Sequence, residues 1–490
     1  MSFRNIILPA RCSAESLNLL SDLTVAKYGA FRRMTENAAV ANEVSVNVSV
    51  EERTPFVPSS PNGSSSNTKS EPDDTQKKTA SLVYWIFVLH GIGTLMPWNM
   101  FLTIAPDYFM GYKFHPLNVT APAPNYSQNF FSYLGVCSQL PNLILNCLNL
   151  FIVLKADLSV RIIYSLFVVA TICLTTIIFV FVPTHEWMFG FFLFTMFTVI
   201  ILNSANGVYQ NSIYGILADF PAHFTNAVVI GNNTCGIFVT LILIFTLSLS
   251  RNVKLVAFAY FLVALLTVLL CLATFFYLPK LGFYEFYVQK AKASRSQAES
   301  TEKGLKLDDI KFVLKHAWVQ MLSVFLTFFV TLALFPAVIN AVDITPEGQQ
   351  YSFFIPKYLF SPIVVFLNFN VFATVGNIIA NYIQVPGHKH LISFTIARLA
   401  FLPFFWYCNY GGVKRLGPVY IENEWVFIGM ITFMSLTHGY FSSLSMMYAP
   451  RGVPNSAART AGMMSAFFLV LGIACGVAFT FGEAYIFVAQ

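Results

Sequence analysis

The chain has 490 residues, of which 56% are hydrophobic, 16% aromatic and only 11% charged, with a mean hydropathy of +0.64. Soluble chains carry about 25% charged residues, so 51 Phe beside 29 Lys/Arg and 23 Asp/Glu exclude both an ordinary soluble enzyme and a largely disordered chain. A polytopic membrane protein remains, and the formal charge of +6 then bears on topology, not on nucleic-acid binding.

Residues 1–80 are rich in Ser, Thr, Asn, Glu and Pro, as in the run Pro58 to Ser66, and read as a disordered cytoplasmic tail. Ile6 to Ala10 is too short for an h-region, so no cleaved signal peptide is expected. Glu15 followed by Leu19-Leu20 has the form of an acidic dileucine sorting signal, which sets an endolysosomal membrane beside the plasma membrane as a residence. From Leu82 onward the pattern changes to apolar runs of the roughly 20 residues a helix needs to cross a bilayer. They cover 82–104, 129–154, 161–182, 188–217, 226–248, 255–278, 317–341, 354–384, 391–408, 425–448 and 461–487. No run of short alternating segments suits a β-barrel. The expected fold class is therefore an all-α polytopic membrane protein of eleven transmembrane helices. A polar, basic stretch divides them, giving 81–279 as a six-helix bundle, 280–316 as a cytoplasmic loop and 317–490 as a five-helix bundle. This 6+5 division is major-facilitator-like.

Lys and Arg set the orientation. With the tail inside, the cytoplasmic loops hold Lys155, Arg161, eight Lys/Arg between 280 and 315, Lys389, Arg451 and Arg459. The outer loops hold only Lys113, Arg251, Lys254, Lys357, Lys414 and Arg415. The first outer loop carries two glycosylation sequons, Asn118-Val-Thr120 and Asn125-Tyr-Ser127, which need a lumenal or extracellular face. Both signals agree on a cytoplasmic N-terminus and an outer C-terminus, as expected of a multi-pass plasma-membrane protein.

Polar residues inside apolar helices are informative because lipid offers them no partner. Gln139, Asn142, Asn146 and Asn149 share one helical face, as do Asn203, Asn206, Gln210 and Tyr214, and Asn370, Asn377 and Asn381. Three amide faces turned inward would line a polar, uncharged cavity; turned toward each other they would glue helices together. Interior charges are few: Arg398 and Glu483, with His90 and His438 as titratable groups. Gly472 to Gly476 is a small-xxx-small packing motif. No nucleophile, metal cluster or paired carboxylates suggest an enzyme, and no cofactor, metal or nucleic-acid partner is expected.

One string is specific. Gly91-Ile-Gly-Thr-Leu95-Met-Pro97-Trp98-Asn99-Met-Phe101 resembles the signature of the equilibrative nucleoside transporter family. Leu334-Phe335-Pro336-Ala337-Val338, Ile396 to Pro403 with Arg398, Gly439-Tyr440 with Ser442-Ser443-Leu444, and Thr460 to Leu469 are similar to later family motifs. The resemblance runs from about residue 82 to 488 and implies a facilitative carrier of nucleosides or nucleobases, working by alternating access. It implies a substrate wall of Leu95, Trp98, Asn99 and Leu102, with Gln210 from the fourth span. Phe335, Phe366, Asn370, Asn377 and Ile473 come from the second half, and Arg161, Arg398 and Arg459 have gate or structural roles. Departures are also legible. An Asp and Arg pair of the family's eighth span is Ala373 and Asn377 here, and a family glutamate is Arg459 although its expected partner Arg161 is kept. Two other readings are weighed: an organic cation or monoamine carrier of the same fold, which needs a carboxylate the span interiors lack, and a membrane receptor. Uptake of labelled nucleoside separates all three.

Overall fold

The computed structural model describes residues 72–114, 124–128, 130–151, 157–249, 252–299, 307–343, 345, 351–410, 415–416 and 418–487. The tail through residue 71, with its dileucine pattern, lies outside the described residues, as does Asn118. Asn125 opens the short helix Asn125–Gln128 with its side chain exposed.

The described part is helical, with only two isolated β-bridges. In the first half the helices are α1 (Ala80–Ile104), which runs on as a π-helix Ala105–Lys113, α2 (Phe130–Phe151), α3 (Leu158–Phe181), α4 (Met188–Leu217), α5 (Ala222–Leu249) and α6 (Val253–Tyr277). A helix α7 (Gly282–Glu299) follows, so the stretch 280–316 is not all loop: once past Pro279 nothing interrupts an amphipathic run. In the second half come α8 (Leu307–Leu334), a π-helical segment Ser361–Leu367 leading into α9 (Asn368–Tyr382), α10 (Leu391–Ala397), α11 (Phe401–Trp406), α12 (Glu424–Arg451) and α13 (Asn455–Phe487). Each of the eleven expected spans overlaps a helix among the described residues. Eight are long and apolar enough to cross a membrane. Polar residues dilute Phe130–Phe151 and Glu424–Arg451, and 391–406 is shorter and broken by a 3-10 turn at Arg398–Ala400.

Local chemistry explains several boundaries. Asn252 caps α6 by accepting the Leu255 N–H, and Asn423 caps α12 by accepting from Trp425 and Val426. Pro336 and Pro356 fall where helices stop or begin. Within the first half, α1 packs on α5 and α6, and α4 on α2 and α3; within the second, α8 packs on α13 and α9 on α12. Glycines let backbones touch at these crossings. A Cβ on Gly91 or Gly231 would overlap the other helix's backbone between α1 and α5. Gly472 and Gly476 press on Phe325 and Phe329 of α8, so that motif packs helices. The halves meet along α4–α13, α5–α9 and α5–α12.

Candidate functional site

After Trp85 the helix α1 has no exposed residue until Pro106, because neighbours surround it. On such a helix the half-buried side chains mark internal space. Leu95, Trp98, Asn99 and Leu102 are all half-buried and share one face, while Met96, Met100 and Phe101 behind them are buried. Trp98 lies parallel to Phe101, ring centres 6.3 Å apart.

The α1 face meets the second half through α5. Asn99 Nδ2 donates to Cys235 Sγ at 3.6 Å. The next residue, Gly236, is pressed against Asn370 so closely that a Cβ there would overlap the carboxamide. Asn370 Nδ2 in turn donates to the Phe366 carbonyl at 2.9 Å. Phe366 meets Phe335 edge to face at 5.5 Å, and Phe335 stacks on Phe369 at 3.9 Å. Amides from two bundles, Asn99 and Asn370, thus meet at Cys235-Gly236. Ile473 is half-buried on α13, beside Gly472. Gln210 is buried on α4, and its side chain makes no hydrogen bond among the described residues. Such an arrangement offers a ring-sized apolar wall and neutral amides, which suits a flat, uncharged, hydrogen-bonding solute.

The amide faces divide their work. Asn146 donates to Asn142, and both pack on Gly207 of α4; Asn211 Nδ2 donates to the Met463 carbonyl of α13 at 3.0 Å. Asn377 is fully buried, donating to the Val229 carbonyl at 3.3 Å and accepting from Ser443 Oγ at 3.0 Å. Asn226 of α5 donates to the Asn377 carbonyl and to Asn381 Oδ1, and Asn381 donates to Tyr84 OH. These amides stitch the halves together near one end of the bundle. Ala373 is buried, and Gly439 of α12 rests on its backbone.

At the same end an ion pair crosses the halves. Arg459 Nη2 of α13 lies 3.1 Å from Asp219 Oδ2, just past α4. Arg161 feels the like charge of Arg459, offset by Asp157. The pairing that Arg459 cannot make with Arg161 it makes with Asp219, a residue the sequence reading missed. Its signal was an acid beside Phe220-Pro221 in a loop otherwise short of acids. Arg398 is 2% exposed, donating to Thr331 Oγ1 at 2.9 Å and the Met434 carbonyl at 3.3 Å. Thr331 also meets His438 Nδ1 at 2.9 Å, so this arginine ties α8 to α12. Glu483 accepts from Trp406 Nε1 at 2.7 Å, and His90 Nδ1 meets Tyr209 OH at 2.6 Å.

The nucleoside transporter family profile matches residues 196–484. Human equilibrative nucleoside transporter 1 is 30% identical over 460 residues, covering 84% of this chain and 98% of the relative. Equilibrative nucleotide transporter 1 of Arabidopsis thaliana is 26% identical, covering 84% of this chain and 87% of its own. Among solved structures, a proton:xylose symporter of the major facilitator superfamily aligns with a TM-score of 0.54 at 12% identity, over 83% of this chain and 89% of that one. At that identity the likeness concerns the fold.

Proposed function

The chain belongs to the nucleoside transporter family, and we propose that it carries purine and pyrimidine nucleosides across a membrane by facilitated diffusion. The observation that carries this reading is the convergence of Asn99 and Asn370, one from each half, on Cys235-Gly236 of α5. Trp98, Leu95 and Leu102 on one side and Phe335, Phe366 and Ile473 on the other would hold the base. The neutral amides of Asn99, Asn370 and Gln210 would meet its polar edge, each at about 0.5–1.5 kcal/mol net. Asn377 holds the bundle end shut in this arrangement and would be released when the halves rock apart.

Lys/Arg asymmetry supports a cytoplasmic position for that end, with the Asp219–Arg459 pair as its gate and the Asn118 and Asn125 sequons outside. The same reasoning supports a multi-pass protein of the plasma membrane, its N-terminus cytoplasmic and its bundles separated near residues 280–316. The role is that of a carrier, not of a catalyst. No acidic residue falls among the wall positions, which disfavours an organic cation as cargo. Purified protein in liposomes should take up labelled uridine and adenosine saturably, exchange them in both directions, and be indifferent to a collapsed proton gradient. Uptake that vanishes with the gradient, or none for either nucleoside, would refute the proposal.

A further inference from the structure

The α1 face that carries Leu95 and Asn99 continues through Thr103 to Asp107, at successive steps of four residues. Asp107 therefore stands two turns, about 12 Å, beyond Asn99, on the π-helix that prolongs α1. π-Helical turns are rare and recur at functional sites. Beside it lies a half-open groove with about 110 Å³ of space, lined by residues of the first half, with Asp107 exposed at its edge. A single water needs about 10–15 Å³ of such space, so a small organic molecule fits.

The polar groups facing this groove have one character. Thr103 Oγ1 has given its proton to the Asn99 carbonyl at 2.7 Å. Thr246 Oγ1 has given its own to the Leu243 carbonyl at 2.9 Å, so Tyr260 OH, 3.3 Å from Thr246 Oγ1, must be the donor of that contact. Among the described residues, what remains toward the space is lone pairs only, together with a carboxylate, because the Asp107 side chain makes no hydrogen bond or ion pair with any of them. The rest of the wall is aliphatic, Val256 and Leu247 included. Acceptors without donors, one negative charge and an aliphatic lining do not suit an anion, a base edge that needs both kinds of group, or a divalent metal, which wants several oxygen ligands.

We infer that this groove is a second ligand site, for a protonated amine with a short apolar body, at the outer mouth of the candidate pathway. The ammonium sits on Asp107 and the hydroxyl oxygens, and the alkyl group on the aliphatic wall. Because only one half builds the site, rocking of the halves does not turn it over. The amine binds and obstructs without being carried. This depends on the groove and not on the identity of the transported solute.

The test uses purified full-length protein in nanodiscs at constant ionic strength, with 3-methylbutylammonium as probe and 3-methylbutan-1-ol as its uncharged counterpart. The amine should raise the unfolding temperature saturably and the alcohol should not. Asp107→Asn should weaken the amine's apparent affinity by about tenfold or more, the scale on which losing a charged hydrogen-bond partner acts. Val256→Trp, which keeps the carboxylate but fills the space, should abolish the response. In liposomes the amine should slow uridine uptake by wild type and not by Asp107→Asn, and labelled amine should not accumulate. Equal responses from wild type and Asp107→Asn, or from amine and alcohol, would overturn the inference whether or not uridine is transported.

Discussion

The Asp219–Arg459 contact gives the sharpest test of how the halves close. The two groups are 3.1 Å apart, with side chains 6% and 28% exposed. At an effective dielectric of about 20, unit charges at that range attract by about 5 kcal/mol. Desolvation and side-chain ordering leave about 1–3 kcal/mol, the usual size of a coupling free energy between two sites. If the pair forms only while that end is shut, its loss moves the equilibrium about 5–150-fold toward the open arrangement. Asp219→Asn should therefore lower maximal uridine uptake with little change in KM at equal surface expression. Arg459→Glu should be worse, since it sets a second carboxylate against Asp219. Combining Arg459→Glu with Asp219→Asn should restore uptake, because the new carboxylate then faces Arg161 alone. Uptake rates in transfected cells, normalised to surface biotinylation, measure all four forms. If Arg459→Glu alone transports as wild type does, or the double variant is no better than the worse single one, the pair does not gate.

Trp98→Ala should remove most uptake while surface expression persists, because it deletes the largest apolar surface of the α1 face; normal uptake would take Trp98 out of the site. Gln210→Ala should raise KM by about two- to tenfold, from a hydrogen bond of about 0.5–1.5 kcal/mol, and an unchanged KM for both uridine and adenosine would argue against contact. Gly236→Ala should abolish uptake or assembly, since a Cβ would overlap the Asn370 carboxamide; pairing it with Asn370→Ala should recover surface protein, as fluorescence size-exclusion chromatography would reveal.

Much of the architecture was legible in the chain because a bilayer demands long apolar helices, and where they lie and where they break is written in hydropathy and proline. The shared face of α1 was legible too: Leu95, Trp98, Asn99 and Leu102 recur at helical spacing, so one periodicity fixes their common face. What periodicity cannot fix is which neighbour that face meets. The Asn370 and Asn377 amides look alike in sequence, yet Gly236 approaches the first within a half-buried site while Val229, Ser443 and Asn226 enclose the second in a seam. Charge pairing was equally out of reach. Arg459 finds Asp219 across 240 residues of chain, and only the crossing of α4 with α13 brings them to 3.1 Å. Sequence alone settled what must lie in lipid, because burial of apolar length is a property of each segment. Tertiary structure decided which polar groups join the seam between the halves and which do not, because a hydrogen bond needs two partners and the fold supplies the second.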